Sequence, residues 1–411
     1  MSLSGCAPGP FGLDAAKGRT FRPRRTVLAV VHTVTAGMRL ADVMPLLESD
    51  HRIQVVYTSP GSSLFAAGVT EFLAEQGCAV IPFRQAAQIR FDLVVAAAAG
   101  GLEQLHGPVL TVPHGAGFSK YSRVWDGPGP AGGRVVAGAD PARLVHHGRV
   151  TAARIVVASS GQLARLRREC PPAASVAVVA GDPCLDRLLA SLPHRAAYRR
   201  ALGTGDRTLV TVSSTWGPVS LLGRDPGLPG RLAAELPAER YQVAAITHPN
   251  AWHWHGSRQV RAWYAEGTGR GMLVVPPTAP WPAVLAAADL LVGDAGSVSS
   301  YAAAAGVPVT LASYSRREVD PDSHVARLAS IAPRLRRGEP AAAQLARAAG
   351  SWNPELHAAF RAEVTSVPGQ AARIIRSLMY QLMKLAEPAA PPAVEPVPLP
   401  VPAQWLPGPR P

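Results

Sequence analysis

The sequence predicts an α/β protein of two nucleotide-fold halves that face each other across a cleft. Three observations predict this. Short runs of β-branched and other apolar residues alternate with stretches of helical spacing, the pattern of buried parallel strands joined by crossover helices. The alternation breaks off near residues 190–207 and then resumes. The chain has 411 residues, enough to bury two separate cores.

The elements follow in order. Residues 1–25 are interrupted by Gly and Pro and carry Lys17, Arg19, Arg22, Arg24 and Arg25 within nine positions. They read as a flexible basic arm that is either simply solvated or drawn to anionic lipid headgroups or a polyanionic substrate. From Thr26 an N-terminal domain over 26–190 is expected. Its strands are predicted at 27–31, 53–57, 79–81, 93–97, 109–112, 154–158 and 176–179, and a helix at 38–47. A Ser59-Pro60-Gly61-Ser62 turn can cap a helix over 63–76, and 127–133 is a Gly/Pro-rich loop. A helix at 193–202 lies in the linker, 191–207. The second domain, 208–387, has predicted strands at 208–212, 243–246, 272–275, 290–292 and 307–311. Its last helix, 370–385, repeats Ile374, Ile375, Leu378, Leu382 and Leu385 at helical spacing. That apolar stripe must pack on something. Residues 388–411 are rich in Pro and Ala and read as a disordered tail. Arm and tail are both expected to be dispensable for folding.

Composition narrows the function classes. Hydrophobic residues make up 47% and charged residues 17%, a globular balance. No apolar run reaches the roughly 18–20 residues of a spanning helix. The first residues lack a secretory pattern, so a cytoplasmic protein is expected, peripheral at the inner membrane face if the arm binds lipid. The formal charge of +13 is partly this arm. Aromatics at 6% and the lack of a recognition motif argue against a nucleic-acid partner. Cys6, Cys78, Cys170 and Cys184 form no CxxC pair, so neither a zinc site nor a disulfide framework is expected.

In an open parallel sheet ligands bind beyond the carboxyl ends of strands, so the residues after each strand are the candidates. Strand 109–112 is followed by Pro113-His114-Gly115-Ala116-Gly117 and then Lys120. An imidazole beside a glycine at a strand end suits a general base, or merely a loop histidine bonded to backbone. Strand 290–292 is followed by Asp294, Gly296, Ser297, Ser299 and Ser300 at a helix start. Free amides and hydroxyls there suit an anion, although a plain serine N-cap has the same signature. Strand 243–246 leads to Thr247-His248-Pro249 and then Trp252-His253-Trp254-His255. That cluster lacks carboxylate or Cys partners at ligand spacing, so no metal is expected; its tryptophans are candidates for stacking or for packing. Strand 208–212 leads to Ser213-Ser214-Thr215-Trp216, whose hydroxyls would line the same cleft.

In order, these pieces resemble the CDP-glycerol glycerophosphotransferase family, makers of polyol-phosphate cell-wall polymers. The resemblance rests on His114-Gly115, Gly181-Asp182-Pro183-Cys184-Leu185-Asp186, Ala201-Leu202-Gly203 with Thr215-Trp216, His248-Pro249 and Asp294-Ala295-Gly296-Ser297. It covers roughly His114 to Val309. It implies a GT-B-like fold of two Rossmann-like domains, in which the last helix crosses back to the first domain. It implies His114 as catalytic base and His248 as a phosphate-binding or charge-stabilising group. The donor phosphate would lie at Asp294, Gly296, Ser297, Ser299 and Ser300, with Gly115, Lys120, Ser214, Thr215 and Trp216 lining the cleft. The turn at Asp294 also resembles the UDP-N-acetylglucosamine 2-epimerase family, but a basic segment of that family is replaced here by Ser214-Thr215-Trp216-Gly217.

The expected function is therefore a transferase in surface-polymer or glycoconjugate synthesis. It would move a glycerophosphate or glycosyl group from a CDP- or UDP-linked donor to a hydroxyl of a polyol-phosphate or glycan acceptor. No cofactor or metal is required by this reading. The alternatives are an epimerase and a catalytically silent nucleotide-sugar-binding regulator.

Overall fold

A computed structural model describes residues 18, 20, 22–61, 66–122 and 134–402. Lys17, Arg19 and most of the expected arm, Ser62 of the capping turn, the start of the helix expected from Ser63, the loop at 127–133 and the chain beyond 402 lie outside the described residues. The described residues form two compact units. Of these, the first draws on the described residues up to Gly117, on 134–183 and on Ser366–Ala393, the second on 118–122, Cys184–Thr365 and 394–402.

In the first unit the strands are β1 (Arg25–Val30), β2 (Ile53–Thr58), β3 (Leu93–Ala96), β4 (Val109–Thr111), β5 (Val145–His146), β6 (Arg149–Val150), β7 (Arg154–Val157) and β8 (Ala177–Val179). Six form a sheet in the order β2-β1-β3-β4-β7-β8, every neighbouring pair parallel, while β5 and β6 make a separate antiparallel hairpin. The central strands are buried on both faces. All four residues of β3 are buried, as is the run from Val27 to Val31. The segment at 79–81, expected as a strand, contributes only an isolated bridge between Val80 and Tyr57. The helix expected to begin near residue 63 spans Val69–Glu75. The first crossover helix, Val34–Val43, is capped by Thr33, whose hydroxyl accepts from the Ala36 amide at 3.1 Å.

The last helix, Ala371–Met383, belongs to this first unit. Ala371, Ile375, Met379 and Met383 pack into the core made by β1, β3 and the Val34–Val43 helix. Burying a side chain such as Ile375 is worth about 2 kcal/mol. Polar contacts fix the helix end. Tyr380 donates its hydroxyl to Asp50 Oδ2 at 2.7 Å, and Arg25 Nε donates to the Met383 carbonyl at 2.7 Å. A cation at a helix C-terminus meets carbonyls that have no partner within the helix.

The second unit is a five-stranded parallel sheet of β9 (Thr208–Ser214), β10 (Tyr241–Thr247), β11 (Leu273–Val275), β12 (Leu290–Gly293) and β13 (Val309–Leu311), in the order β11-β10-β9-β12-β13. Its core includes Val210, Val212, Val243, Trp252, Tyr264 and Leu345. Trp252 thus packs in the interior.

The expectation of a disordered tail from Pro388 is corrected. Arg376, in the last helix, donates to the Ala390 carbonyl at 2.7 Å and pairs with Glu387 at 2.7 Å. Farther on, Val397 is buried; its amide donates to Ser191 Oγ at 2.9 Å and its carbonyl accepts from Tyr198 Oη. Proline-rich chain has no ladder of its own, and here arginine, serine and tyrosine side chains satisfy its backbone instead.

Candidate functional site

In the second sheet, β9 leads to β10 and β11 on one side and the chain then returns to β12 and β13 on the other. The reversal falls between β9 and β12, where diverging loops leave a crevice at the carboxyl edge. The residues singled out in this half of the sequence gather along that edge. Ser214 ends β9 and Thr215 and Trp216 follow it; His248 follows β10; Asp294 follows β12.

Asp294 is buried and ties the crevice together. Its Oδ2 accepts from the Thr215 amide at 2.9 Å, the Thr215 hydroxyl at 2.8 Å and the Leu221 amide at 2.8 Å. Burial raises its pKa, while the charge of Lys120 and those donors work in the opposite direction. The sequence expectation that Asp294 holds donor phosphate does not fit this geometry. A buried acceptor already meeting three donors has nothing to offer an anion. Ser299 and Ser300 likewise turn inward, Ser299 Oγ donating to the Asp294 carbonyl at 2.7 Å and Ser300 Oγ to the Gly296 carbonyl at 3.5 Å. Ser214 is buried, its hydroxyl bonded to the Thr215 carbonyl and the Leu222 amide.

What stays at the surface of this turn is the start of the Ser297–Ala305 helix. Gly296 is its N-cap, no side chain caps it, and Ser297 and Val298 are half-buried. First-turn amides without an intrahelical acceptor, at the positive end of the helix dipole, form an anion-binding geometry. Only glycine fits at 296, since a Cβ there would lie 2.4 Å from Thr215 Cγ2.

His248 lies along the same edge, two strands from this turn, because β9 stands between β10 and β12. It is the N-cap of the Pro249–His255 helix, its Nδ1 accepting from the Asn250 amide at 3.1 Å. A nitrogen that accepts carries no proton, so the ring's proton resides on Nε2, which is a donor. The Trp216 ring lies 6.4 Å from the His248 ring, centroid to centroid. Lys120, expected in the first domain, clusters with the second unit, where it bridges to Val319.

His114 and Gly115 are in the first unit, just beyond β4. His114 Nδ1 lies 2.8 Å from the Ala97 carbonyl. A carbonyl only accepts, so Nδ1 carries the proton and Nε2 presents a lone pair. Protein packed around the ring lowers its pKa by desolvation, though the residue still meets solvent; the Ala97 bond opposes the shift and the Arg39 charge adds to it. The imidazole is therefore neutral near pH 7 with Nε2 able to take a proton. Its loop is held by Gln162, whose Nε2 donates to the Ala116 carbonyl at 3.0 Å and whose Oε1 accepts from the Ala158 amide at 2.9 Å. Gly117, at φ +96°, passes so close that a Cβ would meet Gln162 Nε2.

Three residues here, His32, Gln162 and Arg39, were not singled out in the sequence. His32 lies just beyond β1, at the point where the first sheet reverses between β1 and β3. It is buried, with Nε2 2.6 Å from the Gly100 carbonyl, and its pKa is lowered by burial, slightly reinforced by His114. Its place directly after a strand is a signal legible in the sequence. Gln162 and Arg39, whose buried ion pair with Asp182 is 3.0 Å long, carry no such signal, because their partners are distant in the chain. In the His/Trp cluster Trp254 is exposed while Trp252 is core, and among the described residues no group of three or more metal-ligating side chains occurs. Nor is any described helix long and apolar enough to cross a membrane.

No protein-family pattern matches this chain, and no curated protein matches it by sequence. Solved structures do match by fold. A histidine-to-asparagine variant of the wall teichoic acid polymerase TagF, soaked with CDPG, superposes with a TM-score of 0.59 at 12% identity, over 88% of this chain and 90% of that one. MnaA of S. aureus, in complex with UDP, gives 0.52 at 14% identity, over 89% and 99%. The chain has their GT-B-like fold, built of two Rossmann-like units.

Proposed function

We propose that this protein is a transferase that moves a glycerophosphate or glycosyl group from a nucleotide-diphosphate donor to a hydroxyl acceptor. One observation carries the reading: the start of the Ser297–Ala305 helix, which no side chain caps, and the His248 Nε2–H donor both follow strands along the carboxyl edge of the second sheet, with the loop after β9 between them, an arrangement that suits a diphosphate. The GT-B-like fold supports it, and TagF, matched by fold, was soaked with CDPG.

In this reading the donor phosphates lie against the amides of Ser297 and Val298 and against His248. Asp294, Ser299 and Ser300 shape the turn without touching the donor. For a glycerophosphate donor, the acceptor oxygen forms a bond to the transferred phosphorus as the bond to the nucleoside monophosphate breaks. The acceptor proton passes to His114 Nε2. Charge developing on the leaving phosphate is met by preplaced donors, so catalysis is positioning plus electrostatics. No step requires another group from the protein.

The fold match to MnaA, a UDP-N-acetylglucosamine 2-epimerase, supports the second reading, and one experiment separates the two. CDP-, UDP-, GDP- and dTDP-linked donors are screened by thermal shift, then the binder is incubated with and without acceptor. A ligand at 100 times its Kd stabilises the fold by about 2.7 kcal/mol. Acceptor-dependent release of nucleoside monophosphate or diphosphate supports transfer. Interconversion of UDP-sugars without acceptor replaces it with the epimerase, and binding without turnover replaces it with a silent binder.

A further inference from the structure

The carboxyl edge of the first sheet carries the imidazoles. Its opposite, amino edge carries a different chemistry. Almost every strand there is entered through a basic residue. Arg24 precedes β1, Arg52 precedes β2, Arg90 and His106 precede β3 and β4, and Arg154 opens β7. These positions are adjacent in space. The Arg24 amide donates to the Arg52 carbonyl at 2.7 Å, Arg90 and His106 form a parallel bridge, and the Ala153 amide donates to the Val109 carbonyl at 2.8 Å. At about 4.8 Å per strand the row spans roughly 20 Å. The β5–β6 hairpin, held by the Thr151 amide on the Leu144 carbonyl, adds exposed His146, His147 and Arg149 beside the entrance to β7.

Most of this charge is uncompensated. Asp50 and Asp92 are engaged with Arg52 and Arg25, and Glu103 is the exposed acid nearest His106 in the chain. Arg24, Arg90, His106, Arg149 and Arg154 are exposed, and among the described residues none of them has an ion pair. The row holds no exposed aromatic on which a nucleic-acid base could stack. A broad, shallow row of scattered cations matches a surface of many mobile anionic headgroups.

We propose that the amino edge of the first sheet docks on an anionic lipid bilayer. The surface lies at the end of the strands opposite His32 and His114, so docking leaves those imidazoles uncovered. The proposal does not rest on the transferase reading, and donor thermal shifts test that reading separately.

The full-length protein is sedimented with phosphatidylcholine vesicles and with vesicles that also contain phosphatidylglycerol. Binding is expected to the second kind alone and to weaken as salt rises. One basic residue at an anionic surface is worth about fivefold in partitioning, so Arg90→Gln, Arg149→Gln and Arg154→Gln together should lower it about a hundredfold. Arg24→Gln with Arg149→Gln should lower it about twentyfold by the same reasoning, and serves if the triple variant does not melt like the parent. Equal binding to neutral vesicles overturns the proposal, as does parent-like binding by both variants. Vesicle-independent binding of soluble polyphosphate, lost in the variants, overturns it in favour of a polyanionic chain.

Discussion

The reversal points of the two sheets are built from the same topology and filled with opposite chemistry. In the first, β1 and β3 part at His32, a buried imidazole bonded to the Gly100 carbonyl, and His114 follows β4 on the far side of β3. In the second, β9 and β12 part at Thr215 and Asp294, which close on each other through the carboxylate. One edge therefore carries two imidazoles, of which His114 offers a lone pair; the other carries amides and an imidazole N–H. A shared fold sets where ligands go, and the side chains at the strand ends set which charge the place will accept. In the proposed function the first unit takes the proton and the second binds the anion, and that division can be broken.

The largest expected effect is at His114. Asn there keeps polarity and rough size but cannot take a proton at neutral pH. Turnover should fall about 10²–10⁴-fold with donor affinity nearly unchanged. Turnover within a few-fold of the parent would remove the base from the first unit.

Asp294 comes next. Replacing it with Ala leaves the Thr215 and Leu221 amides without their acceptor in a buried place, at about 1–3 kcal/mol each. Urea unfolding should show a loss of roughly 3 kcal/mol, and donor affinity should fall because the crevice loosens. Direct phosphate contact by Asp294 predicts the reverse, a stable protein whose affinity rises when the negative charge is removed. Ser297→Asp makes the complementary test: it places a negative charge at the helix start and should weaken donor binding about tenfold or more with little change in melting.

Ending the chain after Glu387 removes buried Val397 and its bonds to Ser191 and Tyr198. A loss of about 2–3 kcal/mol is expected in chemical unfolding. A truncated protein as stable as the parent would restore the reading of that segment as a mere tail.

The smallest effect is with pH. His32 in the first unit and His357 in the second are both buried with pKa lowered by desolvation. In the unfolded chain each binds a proton near pH 6.5. The unfolded state therefore holds more protons below that pH, and stability should decline as pH falls from about 6.5 toward the lowered folded values. Replacing His32 with Asn should flatten that decline. An unchanged slope would mean that His32 titrates alike folded and unfolded.

Local pattern carried much of this protein into view. Buried parallel strands have an unmistakable signature, and the runs at Val27, Leu93, Thr208 and Leu290 lie in strands within a residue or two of where their apolar residues suggest. The stripe on the last helix showed that it must pack, and the residues after β4, β9, β10 and β12 were accessible to the same reading because strand ends can be counted. Direction was not. Asp294, Ser299 and Ser300 sit in the expected turn, yet the turn faces them inward, since Thr215 and Leu221 need an acceptor that the sequence places 73 residues away from Leu221. Lys120 joins the second unit across a bridge to Val319, and the Pro-rich segment after Pro388 is held by Arg376, Ser191 and Tyr198. Periodicity and spacing are properties of neighbours in the chain, so the sequence alone determined the elements and their order. Which polar group satisfies which buried donor is settled between residues far apart in the chain, and only the tertiary structure decided it.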